Sequence, residues 1–177
     1  MSAPPRYDPD AVGAYVEHVL GLVGDRDPQA LLAAAPDRLA EATAGLSEAD
    51  ARRAPRVGAW SVLQVLRHLA DSEIVYGYRM RLIVAADRPA IPGYDQEAWA
   101  DRLAYHHGTV QDALADLAAQ RRMTLRWLGA LDAEAWDRVG LHSERGDESV
   151  RQIVHLLAGH DLNHERQIRA TRDALGV

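Results

Sequence analysis

The residues best suited to chemistry in this sequence are two histidines four positions apart, His160 and His164. They lie within residues 149–170, where apolar residues recur with the period of an α-helix. A separation of four places both imidazoles on one helical face, one turn apart, where they can share a divalent metal ion. The pair therefore predicts two ligands of a metal site.

The third predicted ligand is His68, and a similarity between two helix starts supports it. The segments SVLQVLRHLA from Ser61 and SVRQIVHLLA from Ser149 both match a capping box, and five of their ten positions are identical. His68 lies seven residues after its serine, whereas His160 and His164 lie eleven and fifteen after theirs. These offsets differ by four residues, about one helical turn, so the three histidines lie on equivalent faces of their two helices.

Three other interpretations of these histidines fit the sequence less well than a three-histidine metal site. A lone histidine on an apolar flank is more often a hydrogen-bonded core residue than a ligand, but three of them would need three separate partners. A ferritin-like di-iron centre requires Glu-x-x-His, and no glutamate here has a histidine three residues later. An iron site with two histidines and one carboxylate would need Asp71 or Glu165, and Glu165 points about 100° away from His164.

Residues around His68 are candidates for substrate binding. Arg79 lies about 20° from His68 around the helix and three turns along it, so its guanidinium could bind a substrate carboxylate. It could equally pair with Asp71 or Glu73. The predicted substrate-binding residues, all on the flank that carries His68, are Ser72, Tyr76 and Arg79.

Two aspartates near the histidines could orient them as hydrogen-bond acceptors, or be ordinary surface charges: Asp71 and Asp161. His142, in a predicted loop, is expected to be solvated. In the link between the second and third helices we expect Tyr94 to be a core anchor rather than a pocket wall.

Composition narrows the chemistry that remains. The chain has no cysteine, and all 20 of its basic residues are arginine, so cysteine nucleophiles, thiolate zinc sites and Schiff-base lysines are excluded. A net charge of -6 with scattered arginines argues against nucleic acid as a partner. No apolar run approaches the ~18 residues of a membrane span, and MSAPPRYDPD does not resemble a signal peptide, so we expect a cytoplasmic protein without membrane contact.

Helical periodicity and capping signals predict an all-α fold of 177 residues. Residues 1–27 are expected to form an N-terminal arm packed on the domain, and residues 28–177 a four-helix bundle. The link at 87–108 is long enough for a crossover between helices two and three. Pro36 should kink or restart the first helix, 139–148 should be a loop, and no strand is predicted. The predicted helices cover 28–46, 61–86, 110–131 and 149–174.

The chain also resembles the DinB/YfiT-like family of bacterial helical bundles. The resemblance rests on GAWSVLQVLRHLADSE at 58–73, the following YGYRMRLI, IPGYDQEAWA in the link and HLLAGHDLNHERQI at 155–168. It implies an up-down-down-up bundle, often a homodimer, with a metal site formed by His68, His160 and His164. It also implies zinc or nickel as the ion, and activities such as transfer to low-molecular-weight thiols or metal-dependent hydrolysis.

Three neutral histidines leave a coordination position open, as in catalytic rather than structural zinc sites. We therefore expect a metal-dependent enzyme of the thiol S-transferase or hydrolase type that acts on a small molecule, with a low-molecular-weight thiol as a candidate co-substrate. The alternative is a dimeric helical protein that binds metal or serves a stress-related role without catalysis.

Overall fold

Four long helices form the core of the protein in the computed structural model, which describes residues 9–177. Each begins directly after a side chain that accepts a hydrogen bond from the first helical turn, because those amide groups have no partner within the helix. These caps are the predicted Asp27, Ser61, Thr109 and Ser149. The helices are α2 (Pro28–Thr43), α4 (Val62–Ala85), α6 (Val110–Leu128) and α8 (Val150–Leu175).

The four helices form an up-down-down-up bundle. Helices α2 and α4 each pack against both α6 and α8. Two apolar clusters fill the two ends of the bundle, and the direction of each helix follows from the order in which it crosses them. Helices α4 and α6 begin in the cluster containing Leu66 and Leu117 and end in the one containing Met80 and Leu128. Helices α2 and α8 run in the opposite direction. The adjacent helices α4 and α6 are therefore parallel, which requires the predicted crossover.

Helix α1 (Pro9–Val23) lies against α8. Contact is close because residue 159 is glycine: a Cβ atom there would lie 2.1 Å from the carbonyl oxygen of Val19. Residues 9–27 of the predicted arm thus comprise this helix and a short turn before α2, and residues 1–8 lie outside the described part of the chain. None of the helices within residues 9–177 is long and apolar enough to span a membrane.

A small sheet corrects the expectation that the chain has no strand. Strand β2 (Val139–His142) pairs antiparallel with β3 (Gly146–Ser149) and parallel with β1 (Ala90–Ile91). The predicted loop at 139–148 is therefore a hairpin. Gly140 permits close packing there, because a Cβ atom at that position would lie 2.6 Å from Cδ1 of Ile91 and would displace that side chain. Three short helices complete the chain: α3 (Glu48–Ala51), α5 (Gln96–Arg102) and α7 (Ala133–Asp137).

Helix α2 continues through Pro36 instead of restarting there. Proline has no amide hydrogen, so the carbonyl of Leu32, four residues earlier, loses its usual partner in the helix. The guanidinium of Arg121 on α6 replaces it, with Nη1 donating to the Leu32 oxygen at 2.9 Å. A hydrogen bond from another helix therefore satisfies the carbonyl that Pro36 leaves free.

Candidate metal centre

The structure brings together the three histidines predicted as ligands. His68 on α4 faces His160 and His164 on α8, and one nitrogen from each ring lies within 4.8 Å of the others. The Nε2 atoms of His68 and His160 are 3.0 Å apart, and the ring centroids of all three pairs are separated by 4.4 to 5.0 Å. All three side chains are buried. Convergence of three imidazole nitrogens is the geometry that a divalent ion requires.

The positions of these histidines follow from the antiparallel packing of α4 and α8. His68 lies in the second turn of α4, whereas His160 and His164 lie near the middle of α8, so the cluster sits between the two apolar ends of the bundle. Aromatic rings enclose it. Trp60, just before α4, places its ring centroid 4.9 Å from that of His68, and Tyr76 lies edge-on to His160 at 6.0 Å.

Burial keeps the three imidazoles neutral, which is the form that binds metal. It lowers the pKa of His68 well below the ordinary histidine value, and neighbouring His164 lowers it further. Burial is also the main cause of the low pKa of His160, followed by the effects of His164, His68 and Arg121. For His164 burial again lowers the pKa, although a hydrogen bond to Gln167 opposes it. No proton has to leave these rings before a cation binds at neutral pH.

One ligand has a partner that fixes its tautomer. Nδ1 of His164 lies 2.7 Å from Oε1 of Gln167, so Nδ1 donates to the amide oxygen and Nε2 carries the free lone pair. In contrast, Nδ1 of His68 and Nδ1 of His160 are buried without a hydrogen-bond partner in residues 9–177. The hydroxyl of Ser72 lies 3.4 Å from Nε2 of His68 and 3.1 Å from the hydroxyl of Tyr94. Ser72 and Tyr94 therefore connect the histidine cluster to the link after α4.

The two aspartates considered as partners of the ligands bind other residues. Asp161 accepts a hydrogen bond from Nη1 of Arg121 at 2.7 Å, and Asp71 accepts one from the hydroxyl of Tyr105 at 2.6 Å. Glu73, the other carboxylate considered as a partner for Arg79, is bound to Arg121 at 2.8 Å. Asp161 thus joins α8 to α6, and Asp71 joins α4 to the turn after α5.

A cavity of about 330 Å³ opens beside the histidines. Helix α8 contributes His160 and His164 to its wall, and α4 contributes Tyr76 and Arg79. Helix α1 forms the opposite, mostly apolar side. Of the residues predicted to bind substrate, Tyr76 and Arg79 line the cavity directly, whereas buried Ser72 reaches it only through Tyr94. The other lining residues include Val12, Tyr15, Val16, Val19, Tyr94, Glu144, Arg145, Leu156 and Asn163.

Two expectations about single residues near the cavity are wrong. His142 is not a solvated loop residue: it lies on β2 with 2% of its surface exposed, and its Nδ1 accepts a hydrogen bond from the amide of Glu144. Burial, together with Arg145 and Arg79, lowers the pKa of His142 to about 3. Tyr94 is a wall of the cavity, where its ring packs at 4.8 Å on Trp99. Burial raises the pKa of Tyr94 to about 12, so the phenol keeps its proton at neutral pH.

Several residues of the site were missed from the sequence. Gln167 had a detectable signal, because it lies three residues after His164 on the same helix and such neighbours are in reach. Arg121 had no detectable signal in the sequence, since its carboxylate partners come from two other helices. Tyr15 and Val16 belong to the predicted arm, whose short apolar stretch gave no indication that it faces the histidines.

Comparison with known proteins agrees with this fold. The family model of the DinB superfamily matches residues 31–168. A protein of Oceanobacillus iheyensis is 27% identical over 133 residues, 75% of this chain and 76% of its own. One from Bacillus cereus is 28% identical over 140 residues, 79% and 80% of the two chains. Both relatives carry the name "Putative metal-dependent hydrolase".

A solved structure also matches. It is YfiT from Bacillus subtilis, described as "a probable metal-dependent hydrolase with an unusual four-helix bundle topology". It aligns with a TM-score of 0.77 and 20% identity, covering 99% of this chain and 94% of that one, so the two share a fold. Because the family model spans most of the sequence, the chain belongs to the DinB superfamily.

Proposed function

We propose that this protein is a metal-dependent hydrolase of small molecules, with His68, His160 and His164 as the ligands of its ion. The observation that carries the proposal is the convergence of three buried imidazoles, two of which, those of His160 and His164, line a cavity. The names of the relatives from Oceanobacillus iheyensis and Bacillus cereus support the same class of reaction.

The donor set fits a catalytic ion. Three neutral nitrogen ligands without a fourth protein ligand leave room for a water molecule or a substrate, as in known catalytic zinc sites. Imidazole donors suit both zinc and nickel, so the identity of the ion stays a prediction. The homodimer is likewise a prediction. When bound, such an ion supplies Lewis acidity, which polarises a carbonyl group and makes water acidic enough to ionise near neutral pH.

The chain's own residues would orient the substrate and limit access of solvent. Tyr94 keeps its proton at neutral pH, so its hydroxyl can donate a hydrogen bond to a substrate oxygen in the cavity. Ser72, bonded to Tyr94, holds that hydroxyl on the side of His68. Helix α1 separates the histidines from bulk water with the apolar side chains of Val16 and Val19. A site shielded in this way strengthens the electrostatic interactions inside it.

The test begins with metal content. Protein purified without a histidine tag should contain about one divalent ion per chain, and His160→Ala should lose it because two imidazoles bind far more weakly than three. His155→Ala is the matched control, since His155 lies on the same helix and its ring bonds the carbonyl of Arg151 instead of facing the cluster. Wild-type protein that takes up no ion under zinc or nickel loading would contradict the proposed centre.

Activity is then measured on the same three proteins with 4-nitrophenyl acetate as a neutral ester. We expect hydrolysis by the loaded wild type and by His155→Ala, and loss of at least about a hundredfold in His160→Ala, as for other removed electrostatic contributions to catalysis. Turnover that requires an added low-molecular-weight thiol and an electrophilic acceptor would instead establish the S-transferase. Bound metal without either activity would favour the non-catalytic alternative.

A further inference from the structure

The cavity beside the histidines contains a buried positive charge that no carboxylate of the described residues, 9–177, contacts directly. Arg79 on α4 lines the cavity, and only 3% of its surface is exposed. Its Nη2 donates to the carbonyl oxygen of Pro92 at 2.8 Å, while its Nε is buried without a partner. No carboxylate in residues 9–177 forms an ion pair with it. Buried guanidinium groups are normally paired, so this exception indicates a missing anionic partner.

The other charges of the wall do not supply that partner. Arg145 also lines the cavity, but it forms two hydrogen bonds with Glu148, one of them 3.0 Å long. Glu144, which lines the cavity, also acts on Arg145. The combined positive charge of Arg145 and Arg79 helps to keep neighbouring His142 neutral. Glu148 also attracts the charge of Arg79 through space, but its hydrogen bonds go to Arg145, so the donors of Arg79 stay available.

Aromatic rings hold the guanidinium in place without neutralising it. The Cζ atom of Arg79 lies 5.5 Å from the ring centroid of Tyr76 and 5.9 Å from that of Tyr94. Such cation–π contacts stabilise a cation but leave its charge and donors free for an anion. The Tyr76 ring also contacts His160, with ring centroids 6.0 Å apart. Tyr76 therefore contacts both the cation and the histidine cluster.

We propose that the substrate is a small carboxylic acid whose carboxylate binds Arg79 while its hydrolysable ester or amide group lies at the histidine cluster. The inference rests on the proposed function. A single available cation matches a singly charged carboxylate better than a phosphate, and the planar guanidinium matches carboxylate geometry. The side chains of Val12, Val16 and Leu156 suit an apolar body. With about 30 Å³ per water-sized group, the cavity has room for roughly ten non-hydrogen atoms.

Benzoate and benzamide test this site independently of hydrolysis, because they have the same shape and differ in charge, and neither contains an ester. Binding is measured by calorimetry on the full-length protein, both loaded with zinc and free of metal. The metal-free protein separates binding to Arg79 from binding of the carboxylate to the ion. We expect benzoate to bind at least about tenfold more tightly than benzamide, as a charge-assisted pair should.

The preference for benzoate should disappear in Arg79→Met and persist in Arg88→Met. Arg88 is a suitable control because it is exposed, is paired with Asp147 and does not line the cavity. Equal binding of the two probes by the wild type, no binding of either, or an unchanged preference in Arg79→Met would overturn the proposal. Tighter binding of inorganic phosphate than of benzoate would overturn the assignment to carboxylates.

A folding control accompanies the variants, since Arg79 is buried. If circular dichroism shows that Arg79→Met does not fold, Arg79→Lys replaces it and should reduce the preference severalfold, because lysine keeps the charge but loses the planar fork. Hydrolysis of 4-acetoxybenzoate and its neutral carboxamide then separates the two proposals. Equal hydrolysis of both esters would remove the anion site but keep the hydrolase. Benzoate binding through Arg79 without hydrolysis of either ester would keep the anion site but remove the hydrolase.

Discussion

Replacement of Arg121 by methionine should destabilise the protein more than almost any other single change to a polar residue. Arg121 has 1% of its surface exposed and donates to Glu73, Asp161 and the carbonyl of Leu32 at 2.7 to 2.9 Å. Burial alone would lower the pKa of Arg121, but the carboxylates of Asp161 and Glu73 raise it above the ordinary arginine value. The guanidinium therefore stays charged and is the shared partner of two buried anions.

The expected loss follows from what the substitution leaves behind. Removing one partner of a buried ion pair costs about 3–5 kcal/mol, because the remaining charge is neither solvated nor paired. Here two carboxylates and one carbonyl lose their donor, so we expect the upper part of that range. Domains are stable by only about 5–15 kcal/mol in total. For a chain of this length, the midpoint of thermal unfolding should fall by roughly 10 °C or more.

Urea unfolding of the metal-free protein measures this effect without a contribution from ion binding. The control is Arg122→Met, the next residue on α6, which is exposed and should change the free energy of unfolding by less than about 0.5 kcal/mol. Neutralising both anions by Glu73→Gln and Asp161→Asn in the Arg121→Met background should recover part of the loss. A loss below about 1 kcal/mol in Arg121→Met would refute the role assigned to the cluster.

Three further predictions concern acid, packing and metal. The pKa of His142 is about 3 in the folded protein, below the ~6.5 of an unfolded chain, so this residue should lower the stability as the pH drops below about 6.5, by at most about 1.4 kcal/mol per unit, in addition to the losses from His68, His160 and His164 in the metal-free protein. His142→Asn, whose amide oxygen can still accept from Glu144, should lose less stability between about pH 7 and pH 5 in urea titrations. Gly159→Ala should cost about 1–3 kcal/mol and speed tryptic cleavage after Arg26, because the new methyl group displaces α1 from α8. Zinc at about a hundred times its dissociation constant should raise the free energy of unfolding by about 2.7 kcal/mol, and EDTA should remove the gain.

Sequence patterns were informative where the cause of a structure is local. Ser61 and Ser149 mark the starts of α4 and α8 because their side chains bond to amides three residues away. Helical periodicity likewise placed the three histidines on facing surfaces. The sheet escaped prediction because its strands are two to four residues long, and a composition such as Gly146–Ser149 is typical of a loop. Strand β2, with which these residues pair, also pairs with residues 90 and 91, a distant contact that local patterns do not encode.

The cluster around Arg121 was beyond sequence reasoning for a related reason. Its members lie on four helices, and no spacing along the chain connects them. The cavity also depends on distant contacts, because Gly159 matters only through the backbone of Val19. Interactions of this kind are decided when the helices pack, so they become visible only in the folded protein.

Pro36 has a consequence for how the helices are aligned along their axes. In an uninterrupted helix every interior carbonyl is already bonded, and a guanidinium from a neighbouring helix would gain little by choosing one over another. Because Pro36 frees the carbonyl of Leu32, Arg121 has a single matching oxygen on α2. Sliding α2 by one turn past α6 would leave the carbonyl of Leu32 buried and unbonded and would remove one of the three acceptors of Arg121. The proline thus sets the position of α2 relative to α6 along the bundle axis, and with it the level at which α2 packs relative to the histidines.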